Sequence, residues 1–301
     1  MVHIPASPVA PHMVDHRYQG RGDTTKYVLS DADVVRLHER RRSADRDALA
    51  LLQHEIDEDP IPAEQRQHAH LFLVAQPLAG RRDMLLDLTG GSEWNHNLTS
   101  LINRAYTSEL NKILGQDIDP PLTAAGNGYR RARAVARATS NLGEGRVFKP
   151  TPTSASEEVI ELQVHEDGGL RLFFSHLSDV LPGDFQRAGL DVLYDLAVVN
   201  CTRRFLALIV AAAEEAGYFG NWALAFGATG LNGLRAMTSP SRPGRAQYNE
   251  DTYAETTSVS WSELNKAPGA VTRRLIGPLL RSFEVENEYA ACLNDPAQPS
   301  T

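Results

Sequence analysis

Two apolar runs, at 159–165 and 170–175, flank the dipeptide Asp167-Gly168. Such a pair supplies the turn that joins neighbouring antiparallel strands, and a link this tight leaves no room for a crossover helix. That hairpin constrains the fold more than any other stretch of the chain. Further strands are expected at 68–76, at 129–138 behind Gly126-Asn127-Gly128, at 222–228 and at 253–261. Helices are expected at 81–88, at about 97–114, at 190–216 ended by Gly217, and at 269–292 with a kink at Pro278. Strands that follow one another without a helix between each pair predict an α+β fold. The expected layout is a mostly antiparallel sheet packed against long helices that lie on one face.

The first sixty residues read differently. Val2 to Pro5 reads as a strand end, since Pro5 and Pro8 stop any ladder, so the chain is expected to open inside a domain rather than at its start. A short return strand is expected over 11–14 and 17–18, then a turn over 21–25 in which Gly22 relieves the backbone and Asp23 can bond to it. Ser30 is placed as a helix N-cap, with Asp31 and Asp33 in the first turn complementing the helix dipole. Asp33 stands where a capping box usually has Glu or Gln. Val34, Leu37 and Arg41 share one helix face, Arg36 and Arg40 another. The acidic stretch at 55–60, bounded by Pro60 and Pro62, marks a division into 1–60, 64–295 and a tail at 296–301.

Composition limits the function classes. With 301 residues, 42% of them hydrophobic, the chain can bury a real core. Its net charge of -8 excludes nucleic-acid binding over the whole surface, so any such face must be local. No basic stretch precedes an apolar one at the N-terminus, and the apolar segment 205–213 is far below the ~20 residues that span a bilayer. A cytoplasmic protein without membrane contact is expected. Cys201 and Cys292 make neither a disulfide nor a zinc framework, and Asn97-Leu98-Thr99 matches the glycosylation pattern by chance. Abundant Arg and Ala with few Lys fit a GC-rich bacterial genome.

The segments Ile4-Pro5-Ala6-Ser7-Pro8, Tyr18-Gln19-Gly20-Arg21-Gly22-Asp23-Thr24-Thr25 and Leu29-Ser30-Asp31-Ala32-Asp33-Val34 together resemble the end of a Schlafen-type AlbA_2 domain, a DNA-binding family of bacteria. The resemblance covers about the first 42 residues. It implies nucleic-acid association, with Arg17, Arg21, Lys26, Arg36 and Arg40 as the contacting residues. Arg21 directly precedes Gly22, where the family usually has another residue between. The family's acidic and lysine-bearing signature lies in the half that would precede this segment, so the resemblance does not carry nuclease activity here. No G-x-x-x-x-G-K-[ST] loop is present for a nucleotide.

Other candidates have plainer readings. His68 and His70 lie two apart on a strand and could pair on a metal, but no neighbouring Cys or carboxylate completes a site, so surface positions and no metal are expected. Gly227, Gly230 and Gly233 read as places where another backbone approaches closely, not as a phosphate loop. The segment 194–213 reads as a central helix, with a dimer contact along an exposed edge as its one functional reading. No motif of a catalytic Ser, Cys or His is present. The expectation is therefore a nucleic-acid-binding protein, regulatory in role, with DNA or RNA as partner, no cofactor and no catalytic site of its own. The alternative is a binding or homo-oligomerisation module centred on 64–295. A deep pocket with convergent polar groups would instead point to an enzyme.

Overall fold

The structure is a computed structural model that describes residues 10–21, 25–110, 122–140, 142, 145–150, 158–181, 189–238 and 247–295. The chain starts with three short strands, β1 (His12–Val14), β2 (Arg17–Arg21) and β3 (Lys26–Val28), followed by the long helix α1 (Asp31–Asp57). Then come β4 (His70–Pro77), α2 (Leu86–Thr89), α3 (Trp94–Tyr106), β5 (Asn127–Arg131), β6 (Ala134–Ala138), β7 (Ile160–His165), β8 (Leu170–Phe174), β9 (Ser178–Val180) and β10 (Asp191–Leu193). The last part holds α4 (Asp195–Glu215), β11 (Asn221–Thr229), β12 (Arg235–Ala236), β13 (Thr252–Ser260), α5 (Trp261–Lys266), α6 (Pro268–Ser282) and α7 (Ala290–Leu293).

The fold is α+β, built on a seven-stranded sheet of order β13-β11-β4-β8-β7-β6-β5 in which every pairing is antiparallel. The hairpin at Asp167-Gly168 joins β7 to β8, with Gly168 at φ 89°. A second hairpin, β5–β6, stands where one strand was expected, and its turn places Arg133 at φ 60°. The segment 81–88 is helical only from Leu86, and the expected 269–292 helix ends at Ser282. Pro278 sits inside α6 without ending it.

Both faces of the sheet are covered, not one. Leu71, Leu73 and Leu172 of the sheet join Leu101, Phe205, Ile209 and Leu275 of α3, α4 and α6 in the larger core. On the opposite face Ala48 and Leu52 of α1 pack against Phe72, Val74, Phe173, Ala223 and Ala225. This two-sided cover explains why β4 is a continuous apolar run rather than an alternating one. Gly227 permits the close approach of α1: a Cβ there would stand 2.9 Å from Leu52. The proline-bounded acidic stretch is thus crossed by packing, since Ile61 is buried in the same α1-side core.

Helix α1 begins as its residues dictate. The Ser30 hydroxyl accepts from the Asp33 backbone N–H, and the Asp33 carboxylate accepts in return from the Ser30 N–H, so Asp completes the capping box. The stripe that starts at Val34 and Leu37 continues through Ala44, Ala48, Leu52 and Glu55. Helix α4 is buried at every position from Ala197 to Ala213, so the exposed edge that a dimer contact would need is not there. Among the described residues α4 is also the one helix long and apolar enough to cross a membrane, and it is 94% buried inside the protein. Cys201 and Cys292 are both buried free thiols.

Candidate functional sites

The basic residues singled out in the sequence fall on the β1–β3 ribbon and the start of α1. Tight turn geometry at Asp15 and His16, φ 50° and 60°, closes β1 onto β2. A Cβ at Gly20 would stand 2.7 Å from the Tyr27 ring, so the glycine lets that ring lie across the ribbon. The Leu29 N–H donates to the Tyr18 carbonyl, and the Tyr18 ring meets His38 edge-on, which ties the ribbon to α1. Arg17 and Lys26 are exposed. Arg21 is the Cα partner of Lys26 across β2 and β3. Arg36 is 76% exposed and donates to Asp33 at 2.9 Å. Arg40 lies in α1, and the side chains of Arg21 and Arg40 fall outside the described residues. Met13, Val14, Tyr27, Val28 and Val35 are half-exposed apolar side chains on the same segment.

A second polar region was missed in the sequence. Ile160-Glu161-Leu162-Gln163-Val164-His165 alternates strictly, and such a strand is expected to show its polar side to water. Instead Glu161 is fully buried. It accepts from Arg146 Nε at 2.7 Å and from Arg131 Nη2 at 3.0 Å, and Arg146 Nη2 also reaches Glu55 of α1 at 2.8 Å. Arg171 donates to the Ala75 and Leu170 carbonyls and to Gln76 Oε1, and Gln76 in turn donates to Asp167. Burial works against the Arg146 cation, yet Glu161 and Glu55 outweigh it and hold its pKa above the ordinary value. At Arg171 burial prevails and lowers it. Burial, helped by Arg171, pulls His165 down to about 4, and its buried Nε2 has no hydrogen-bond partner among the described residues. Arg146, Arg171, His165, Gln76 and Asp167 line a cavity of about 480 Å3 that Leu51, His54 and Glu55 of α1 also border.

The paired histidines part company. His70 is buried and shares its Nδ1 with Asp59 Oδ2 at 2.7 Å, a contact that Arg66 joins at 3.3 Å, so His70 is not a surface position. His68 turns away to stack on His176, ring centroids 4.0 Å apart and planes 32° tilted. The backbone dictates this meeting. The Leu177 N–H donates to the Ala69 carbonyl, and the Ala69 N–H donates to Ser178 Oγ at 2.7 Å, joining residues 109 apart in the chain. His176 Nδ1 lies 3.2 Å from Glu158 Oε1, and its Nε2 lies 3.8 Å from Asp179 Oδ2. Asp179 Oδ2 also accepts from the Tyr194 hydroxyl at 3.0 Å. Burial tends to raise the Asp179 pKa, but the Val180 N–H, Tyr194 and both histidines together hold it below its ordinary value. Burial, then Asp179, pushes Tyr194 up to about 12. Among the described residues, His68, His176 and Asp179 are the one group whose donor atoms could share an ion, all within 4.8 Å of one another. Nothing near His68 in the sequence announced His176 or Asp179.

Comparison of the chain with protein-family models, with curated proteins and with solved structures finds no match.

Proposed function

We propose that the chain associates with nucleic acid, DNA or RNA, through β1–β3 and the first turns of α1, as a regulator in the bacterial cytoplasm. The resemblance of residues 1–42 to the AlbA_2 family gives the class. The observation that carries the reading is the register that sets Arg21 directly opposite Lys26. Like charges on facing residues destabilise a strand pair, and a polyanion laid across them offsets that repulsion. Exposed Arg17 adds a third cation, and Arg36 is held only by an exposed pair with Asp33, which a phosphate can displace at little loss.

Fluorescence anisotropy with labelled DNA and RNA oligonucleotides tests the reading. Five phosphate contacts weaken binding about 500-fold between roughly 50 and 200 mM salt. Replacing Arg17, Arg21, Lys26, Arg36 or Arg40 by Ala should each lower the slope of log affinity against log salt by about one. Affinity that ignores salt, or no binding at the lower salt, would sink the proposal.

The half-exposed Met13, Val14, Val28 and Val35 favour a second reading, a non-enzymatic contact between copies of the chain or with another protein. Light scattering separates the two. A concentration-dependent dimer abolished by Val14→Ser with Val28→Ser, in a chain that ignores nucleic acid, selects the second.

A further inference from the structure

We propose that His68, His176 and Asp179 bind a divalent transition-metal ion of the zinc class, with Glu158 and Tyr194 as positioning residues. Two imidazoles and one carboxylate form a nitrogen- and oxygen-donor set suited to such an ion, and they leave at least one coordination position open. One pair of ligand atoms already stands near the required spacing, and all three lie within 4.8 Å of one another. Around a tetrahedral ion with bonds of about 2.0–2.1 Å, neighbouring ligands lie about 3.4 Å apart. His176 Nε2 and Asp179 Oδ2 are 3.8 Å apart, too far for a hydrogen bond and near that value.

The surroundings supply what a metal histidine needs beyond its ligands. Glu158 faces His176 Nδ1 at 3.2 Å, which sets the proton on Nδ1 and turns the Nε2 lone pair toward Asp179. That Nε2 is buried and has no hydrogen-bond partner among the described residues, an open acceptor in a place closed to bulk water. Leaving such a group unpaired is unfavourable, and a cation is the partner the geometry admits. Tyr194 donates to Asp179 and orients the carboxylate. Closing the site needs the two rings, now stacked with their planes 32° apart, to rotate so that both lone pairs meet the ion.

Charge and access agree with this assignment. His68 and Asp179 open onto a cavity of about 570 Å3 whose wall also carries Asp191 and Asp251, with Arg66 as its one cationic residue among those described. An excess of carboxylates suits a bound cation, and the cavity leaves the open coordination position in contact with water or a small ligand. The wall combines residues 66–69 just before β4 with β9, Asp191 of β10, Thr229 at the end of β11 and the turn that follows it. This site is separate from the basic ribbon and stands or falls independently of it.

The full chain, dialysed against a chelator, is titrated with zinc chloride by calorimetry and with cobalt chloride by visible absorption. One saturable equivalent is expected, with a cobalt band typical of nitrogen and oxygen ligands. His176→Ala and Asp179→Asn should each abolish it, and Glu158→Gln should weaken it about 10–100-fold. His96→Ala, on an exposed helix position, should leave it unchanged. Circular dichroism checks each variant. If His176→Ala fails to fold, Asp179→Asn decides, because that side chain is part-exposed and the replacement keeps its shape. Absence of a saturable equivalent, or binding that survives Asp179→Asn in a folded chain, overturns the proposal.

Discussion

The β1–β3 ribbon and the seven-stranded sheet are both antiparallel, yet they treat their side chains in opposite ways. Along β4 the residues from His70 to Ala75 are all buried, and α1 and α4 cover the two faces. In the ribbon every residue of β1 and β3 is exposed, apolar ones included. Each large apolar side chain removed from water contributes roughly 1.5–3 kcal/mol, so stability resides in the sheet and its helices. The ribbon contributes little of that and leaves its side chains in water. Charge follows the same division. The carboxylate of Glu161 faces two arginines inside the protein, whereas Arg17 and Lys26 stand at the surface on strands whose register sets Lys26 against Arg21.

The strongest challenge to this contrast is Glu161→Gln. It leaves Arg146 and Arg131 without their shared carboxylate in a buried place, and denaturant unfolding should show a loss of about 3–5 kcal/mol. A loss under about 1 kcal/mol, the range of an exposed pair, would mean that the sheet's polar face behaves like the ribbon. Acidification probes the same region. Above its ordinary pKa of 6.5 His165 is neutral folded or unfolded; in the folded chain it protonates only near about 4. The unfolded chain therefore takes the proton first as pH falls, and stability should drop by roughly 3 kcal/mol between these limits. Thermal unfolding in buffers across that window, compared with His165→Gln, isolates the slope; identical slopes would remove His165 from the account. The smallest effect is expected in the ribbon. Tyr27→Ser should change stability by no more than about 0.5 kcal/mol. It should also leave oligonucleotide binding unchanged, because alternation along β3 sets Tyr27 on the face opposite Lys26, whereas Lys26→Ala should weaken that binding.

Legibility in the sequence tracked how local each determinant was. The Asp167-Gly168 hairpin, the Ser30 cap and the central helix at 195–215 were readable because turn dihedrals, capping bonds and an apolar run are properties of neighbouring residues. The β5–β6 hairpin escaped because Arg133, not a glycine, takes the positive φ at its turn. The buried polar face of β7 went unread, since alternation alone cannot say whether water or α1 lies beyond it. Another backbone was expected beside Gly227, Gly230 and Gly233; only Gly230 meets one, at Ala69, while Gly227 meets the Leu52 side chain and a Cβ at Gly233 would have nothing within 4 Å.

The basic positions of the candidate nucleic-acid face were nameable one by one, but their register was not. Likewise His68 was visible as a metal-capable side chain, while its pairing with His176 and Asp179 was not. By itself the sequence determined the main long strands, the Ser30 cap and the α+β class, since these rest on residues within a turn or two of each other. The tertiary structure alone decided which polar groups are buried together, because that depends on bonds such as Ala69 to Ser178 between segments that meet only when the sheet forms.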